Sequence, residues 1–245
     1  MPQQNSDPNR TERAASIRAD QARKERNKRV AMTAGIIAVL AVVVAAGVWY
    51  SSGGSDPAAG ASKTPRVTVG NSSLIVGNNP NAKVKLVVYE DFLCPFCKQF
   101  ETQTRDFLHA DAAQGKVLIE YRPFQLLADG YSRRALDAWS AVLKNGTPAQ
   151  ALRFHDVLYD NQPYESAANK PDIPKLQALA KKAGVKQSVL DAFATEDTSF
   201  YAAVEKAAQD AKIQGTPTIL LNGKELSGNS IDDMVNSLEK QIAGS

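Results

Sequence analysis

Between Val84 and Tyr121 the sequence reads as strand, helix, strand, and the only two cysteines of the chain, Cys94 and Cys97, fall where the helix starts. Val84 to Tyr89 (Val-Lys-Leu-Val-Val-Tyr) is β-branched and apolar enough for a buried strand, and Val117 to Tyr121 (Val-Leu-Ile-Glu-Tyr) repeats the pattern. Phe96, Phe100, Phe107 and Leu108 recur between them at helical spacing. Such a unit favours a right-handed crossover with parallel strands, which points to the α/β class.

Residues 130–213 predict consecutive helices. Leu136, Trp139, Val142 and Leu143 form one apolar face that stops at Asn145-Gly146. Asp172 is placed to cap a second helix opening at Ile173-Pro174, which Gly184 ends, and a third segment carries Tyr201, Val204, Ala208 and Ala211. Thr218 to Leu221, Asn222-Gly223 and Lys224 to Leu226 then read as a hairpin, because Asn-Gly readily supplies the two positive φ angles of a type I′ turn. Ile231, Met234, Val235, Leu238 and Ile242 predict a closing amphipathic helix, with Asp232 and Asp233 suited to the positive end of its dipole. The predicted order is β, α, β, helical block, ββ hairpin, α.

The formal net charge of +3 invites a nucleic-acid reading until it is located. Residues 1–29 hold eight Lys or Arg against four Asp or Glu, so the remainder carries −1 and a large phosphate-binding surface is excluded. From Val30 to Tyr50 the chain runs 21 residues without a charge. As a helix that stretch measures roughly 31 Å, close to the hydrocarbon thickness of a bilayer. Arg23, Lys24, Arg26, Lys28 and Arg29 precede it and Trp49-Tyr50 closes it, so the positive-inside bias keeps residues 1–29 in the cytoplasm and everything after residue 50 outside. The competing reading is a cleaved signal peptide with small residues at Val44/Ala46 or Ala59/Ala61. The long apolar stretch and long basic lead argue against it. Residues 51–63 have the Gly/Ser/Ala composition of a flexible tether, and residues 64–245, at 43% hydrophobic content for the whole chain, suffice for one domain with its own core. Two cysteines are too few for a disulfide scaffold.

They suffice for one redox pair. In Asp91-Phe92-Leu93-Cys94-Pro95-Phe96-Cys97, the first cysteine sits at a helix N-terminus, where unpaired N–H groups and the helix dipole favour a thiolate. Pro95 suits the first turn, which it presets in φ. Cys94 is expected to be the exposed attacking sulfur and Cys97, one turn inside, the shielded resolving sulfur. A zinc site would need further ligands, and His109 and His155 lack the paired spacing of such modules; a purely structural bond closing so short a loop would constrain little. No cofactor and no metal ion is expected.

Far downstream, Gly215-Thr216-Pro217-Thr218 precedes the hairpin. Cys94-Pro95-Phe96-Cys97, Thr216-Pro217 and the helical block between them resemble the DsbA-like branch of the thioredoxin superfamily, as do Gly77-Asn78, Asn81-Ala82 and the Asp91 that precedes Cys94. The resemblance spans roughly residues 72–243. It implies a thioredoxin-like fold with a helical insertion at about 124–213, preceded here by one transmembrane helix. It also implies a cis Pro217 with Thr216 against the cysteine pair, active-site support from Pro95 and Phe96, and binding of extended segments mostly through main chain. Unfolded or partly folded exported proteins would be the substrates, and a membrane redox partner would recycle the pair. Oxidase, reductase and isomerase directions remain open, as does a non-catalytic tethered peptide-binding or chaperone module.

The family often places a buried acid six positions before the first cysteine, and Val88 stands there instead. Glu90 and Asp91 are expected to point differently and to be solvated strand-end charges. His109 and His155 read as surface or rim residues, and Trp139, Phe154 and Tyr201 as core of the helical block. Asn71-Ser72-Ser73 and Asn145-Gly146-Thr147 match the glycosylation pattern at a frequency chance explains.

Overall fold

The computed structural model describes residues 64–244. The basic arm, the uncharged stretch 30–50 and the tether predicted above lie outside them; among the described residues no helix is long and apolar enough to cross a membrane.

A mixed six-stranded sheet organises the domain: β1 (Val67–Val69), β2 (Leu74–Val76), β3 (Val84–Glu90), β4 (Val117–Pro123), β5 (Thr218–Leu221) and β6 (Lys224–Glu225), in spatial order β1-β2-β4-β3-β5-β6. The strand-helix-strand unit is present as read: β3 and β4 run parallel from Val84 opposite Val117 to Glu90 opposite Pro123, joined by α1 (Pro95–Ala113). β5 pairs antiparallel with the other edge of β3, setting Ile219 opposite Val88. The hairpin after it turns at Asn222 and Gly223, with φ of 49° and 80°. Asn222 also locks the turn to β3, its side-chain oxygen accepting from the Lys85 N–H and its own N–H donating to the Lys85 carbonyl, both at 2.8 Å. The antiparallel pair β1–β2 was not anticipated. Each strand is three residues long, too short to display a period, and β2 is fixed from outside by β4, Leu74 opposite Tyr121.

The insertion holds α2 (Gly130–Asn145), α3 (Pro148–Asp160), α4 (Ile173–Lys182), the single turn α5 (Gln187–Leu190), a 3₁₀ turn (Asp191–Ala194) and α6 (Thr198–Asp210). Side chains at the starts of the longer helices accept from backbone N–H groups that helical geometry leaves unpaired: Asp129 for α2, Thr147 for α3, Asp172 for α4 and Asp197 for α6. In α3 the cap is reciprocal, Gln150 reaching back to the Thr147 N–H. Trp139, fully buried, donates its indole N–H to the Ala151 carbonyl at 3.2 Å and packs against Phe92 and Phe200. Phe154 stacks on Phe193. Tyr201 is only half-buried, one face covered by the Arg133 guanidinium at 4.0 Å. The last helix, α7 (Ile231–Ala243), is capped by Ser230 and packs against α1.

Candidate active site

β3 delivers the chain to the first turn of α1. Cys94 is the residue before that helix, in an extended conformation (φ −67°, ψ 120°), and Pro95 opens it. The buried positions of α1 include Cys97, Phe100, Glu101, Thr104, Leu108 and Ala112, a stripe at three- and four-residue intervals. Cys97 is therefore carried inward by the apolar face of its own helix. Cys94 is not the exposed sulfur the sequence led us to expect: it is 5% exposed and Cys97 1%. The loop of β5 lies over it. Its thiol donates to the Thr216 carbonyl at 3.3 Å across 122 residues of sequence, and the Thr216–Pro217 peptide bond is cis. Pro95 and Phe96 face outward, Phe96 at 59% exposure.

Two sulfurs in nearly equal burial have opposite acidities. The Cys94 thiol is lowered from 9.0 to about 6, above all because the Cys97 thiol donates to it, with the Thr216 side chain and the N–H groups of Cys97 and Phe96 adding to the effect against desolvation. Cys97 is pushed well above its ordinary value, first by burial, then by the hydrogen bond its thiol donates to Cys94 and by the nearby charges of Cys94 and Glu90. The pair thus holds one thiolate and one thiol in the reduced state, free of a bond between them.

The approach to α1 is braced. Asp91 is fully buried, its Oδ1 accepting from the Leu93 N–H and its Oδ2 from the N–H groups of Leu126 and Leu127, while Ser132 Oγ donates to the same carboxyl at 2.8 Å. Burial raises its pKa despite those donors. Gln162, just past α3, donates to the Phe92 and Cys94 carbonyls at 3.1 and 3.0 Å. A groove of about 770 Å³ opens beside this point, lined by Pro95, Lys98, Gln162, Pro163, Tyr164 and Glu165.

A thioredoxin family model, Thioredoxin_4, matches residues 70–240. The chain belongs to that family. Disulfide bond formation protein D of Bacillus subtilis is 26% identical over 174 residues, covering 67% of this chain and 75% of that protein. Among solved structures, DsbA of Mycobacterium tuberculosis is 28% identical with a TM-score of 0.57 over 75% of this chain and 94% of its own. The reduced DsbG oxidoreductase of the same organism is 29% identical with a TM-score of 0.57, over 69% and 83%. This chain is a DsbA-like thiol-disulfide oxidoreductase with a thioredoxin-like fold and a helical insertion.

Beneath Cys97 the thioredoxin-like core holds a group that the sequence reading missed. Glu90, Glu101 and His155 are all 0% exposed. His155 donates through Nε2 to Glu90 at 2.7 Å, and its Nδ1 lies 3.2 Å from Asp156. Expected at the surface, this histidine is instead held between two carboxyl groups and ringed by Phe92, Tyr121 and Tyr159, and its pKa stands well above the ordinary value because those carboxyls outweigh the desolvation opposing them. His109 is half-buried against Tyr121. Glu90 does not point away from Val88's side of the sheet: along β3, residues 84, 86, 88 and 90 are the inward set. Among the described residues, Glu90, Glu101 and His155 are the one group of donor side chains arranged closely enough to hold a metal ion, their atoms within 4.8 Å. Glu90 and His155 are already joined by a hydrogen bond.

Proposed function

We propose that this oxidoreductase is anchored by residues 30–50, works outside the cytoplasmic membrane, and forms disulfides in unfolded or partly folded exported proteins, with Cys94 as the exchanging sulfur and Cys97 as its internal partner. The observation that carries the reading is the acidity difference between the two sulfurs, Cys94 at about 6 and Cys97 well above 9.0. A substrate thiolate attacks Cys94 of the Cys94–Cys97 disulfide and expels Cys97. A second substrate thiolate then attacks the substrate's own sulfur in the mixed disulfide and expels Cys94. The substrate loses two electrons and gains a disulfide; the enzyme is left as a dithiol. Cys94 leaves readily because its thiolate is stabilised, the property that makes such a disulfide oxidising. A membrane redox partner then returns the pair to the disulfide.

The Thr216–Pro217 segment beside Cys94 offers main chain to an extended substrate, and the exposed rings of Phe96, next to Pro95, and of Tyr164 (86%), in the groove that Pro95 lines, suit apolar stretches of an unfolded chain. The uncharged stretch, its basic cytoplasmic flank and the absence of further cysteines support the placement. In cells, Cys97→Ala should accumulate mixed disulfides with exported proteins and Cys94→Ala should not; adducts with neither variant would overturn the exchange reading. A measured reduction potential nearer −120 than −270 mV supports the oxidase direction, since those values bracket this chemistry at roughly 7 kcal/mol apart.

A further inference from the structure

Two glutamates and a histidine converge where the sheet, the cysteine-bearing helix and the insertion meet. Glu90 comes from β3, Glu101 from α1 and His155 from α3; all are fully buried, and one donor atom from each lies within 4.8 Å of the others. We infer that this triad binds a zinc ion, which clamps the helical insertion to the thioredoxin-like core.

A protonated histidine can gather buried acids by its charge alone, and Glu90 is partnered in that way at 2.7 Å. Glu101 is not. Both its carboxyl oxygens are sealed from solvent and make no hydrogen bond, and the second oxygen of Glu90 is also without a partner. Three unpartnered acceptor oxygens around one imidazole are a costly arrangement that a single proton on Nε2 satisfies only in part, whereas a divalent cation can take them together. The far side of the imidazole fits the same reading. His155 Nδ1 lies 3.2 Å from Asp156, which is itself paired with Arg105. A carboxylate on Nδ1 fixes the ring, leaves Nε2 to face the metal and makes it a better donor, the usual outer arrangement of a zinc-bound histidine.

The donor set selects the ion. Calcium takes about six to eight oxygen ligands and magnesium keeps several waters, whereas this triad offers two carboxyl groups and a nitrogen in a place closed to solvent. Zinc accepts four nitrogen and oxygen donors at about 2.0 to 2.2 Å, and Nε2, one oxygen of Glu90 and both oxygens of Glu101 can supply them. Tetrahedral donors at those lengths stand about 3.4 Å apart, so the triad closes by side-chain rotation as the ion enters. Charge is conserved in the exchange. Burial raises Glu101 to about 8 against the opposing charge of His155, so at neutral pH this carboxyl holds a proton. Zinc displaces that proton and the one on His155 Nε2 to solvent and forms bonds at both residues, with nothing oxidised or reduced. The Nε2 to Glu90 hydrogen bond is the proton-held form of the same site.

The test uses the full-length protein in detergent with Cys94 and Cys97 joined as the disulfide, so that no thiolate competes for metal. Unfolded in urea, refolded with zinc chloride and desalted, it should retain one zinc ion per chain by mass spectrometry. X-ray absorption should show nitrogen and oxygen at about 2.0 to 2.2 Å, an imidazole among them and no sulfur. With free zinc at about 100 times its Kd, the melting temperature should rise by about 5 to 10 °C. Glu101→Gln and His155→Gln should lose both the ion and the shift. His109→Gln, which removes the only other histidine of the chain, should keep both. A zinc content near zero in wild type overturns the site. So does sulfur around the ion, loss of the imidazole signal in His109→Gln, or a larger melting shift with calcium than with zinc at matched free concentrations. Should Glu101→Gln and His155→Gln fail to fold, zinc content and absorption spectra of wild type and His109→Gln decide by the same criteria.

Discussion

The acidity of Cys94 is also a statement about stability, and it can be measured as one. In the unfolded chain the thiol returns to its ordinary value of 9.0; in the folded, reduced protein it sits at about 6. A depressed folded pKa contributes stability that is complete above the unfolded value and is lost as pH falls through the folded one. From those two values the thiolate adds about 0.1 kcal/mol at pH 5, about 1.4 kcal/mol at pH 7 and about 2.7 kcal/mol at pH 8. Cys97, raised rather than lowered, acts in the opposite direction, but only as pH climbs through 9.0, outside this window. The assay is urea unfolding of the reduced protein beside reduced Cys94→Ala at pH 5, 7 and 8. Lost packing at the alanine is the same at every pH, so the gap between the two proteins should widen by about 2.6 kcal/mol from pH 5 to pH 8. The thiolate's ultraviolet absorbance, followed over the same range, should rise with a midpoint of about 6. The pH 7 increment corresponds to roughly 30 mV towards a more oxidising couple than an unperturbed thiol would give. A gap that stays flat or narrows between pH 5 and 8 refutes the thiolate assignment and with it the reason for calling Cys94 the better leaving sulfur.

Cys97→Ala removes the donor that contributes most to the acidity of Cys94, so the alkylation rate of Cys94 should drop at pH 6 to 7 and recover at pH 9; an unchanged profile would mean that the helix start alone holds the thiolate. Asp91→Ala leaves the N–H groups of Leu93, Leu126 and Leu127 without their acceptor, and a loss of about 3 to 5 kcal/mol is expected in urea unfolding. Trp139→Ala should cost about 3 to 5 kcal/mol by the same measurement, because the cavity lies between Phe92 and Phe200 and the Ala151 carbonyl loses its donor.

Period and punctuation explain which elements the sequence displayed. β3 and β4 are seven-residue runs with β-branched inward positions, and Asn222-Gly223 is a turn whose chemistry is local. β1 and β2, at three residues each, owe their existence to the open edge of β4, a tertiary fact that no short window contains. Cys94, Cys97 and Thr216 were visible as motifs, but the burial of Cys94 was not, since it comes from a loop 122 residues away. Glu90 could have been found by the two-residue period: it shares the parity of Leu86 and Val88, whose inward facing was already implied. Glu101 could have been found too, four residues after Cys97 on a helix whose apolar face was evident. His155 could not. It reads as one polar position on an amphipathic helix, and only the packing of α3 against α1 turns it towards Glu90.

That packing has a consequence for how the insertion and the redox pair depend on each other. Glu90 comes from the sheet and Glu101 from the helix that carries the cysteines, both present without any insertion, whereas two carboxyl groups sealed together with no cation would repel and cost several kcal/mol. His155 supplies that cation from α3, and Arg105 on α1 reaches across to Asp156 and Asp160 of the same helix, so the charges joining the two parts are matched in both directions. Gln162, at the end of α3, adds hydrogen bonds to the very carbonyls that precede and belong to Cys94. A change in how α3 sits would thus reach the cysteines twice, once through the backbone at Cys94 and once through the charge beneath Cys97. Substitutions at the α3–α1 contact should accordingly alter the acidity of the pair before they abolish the fold, and the order in which those two effects appear distinguishes an insertion that tunes the chemistry from one that merely sits beside it.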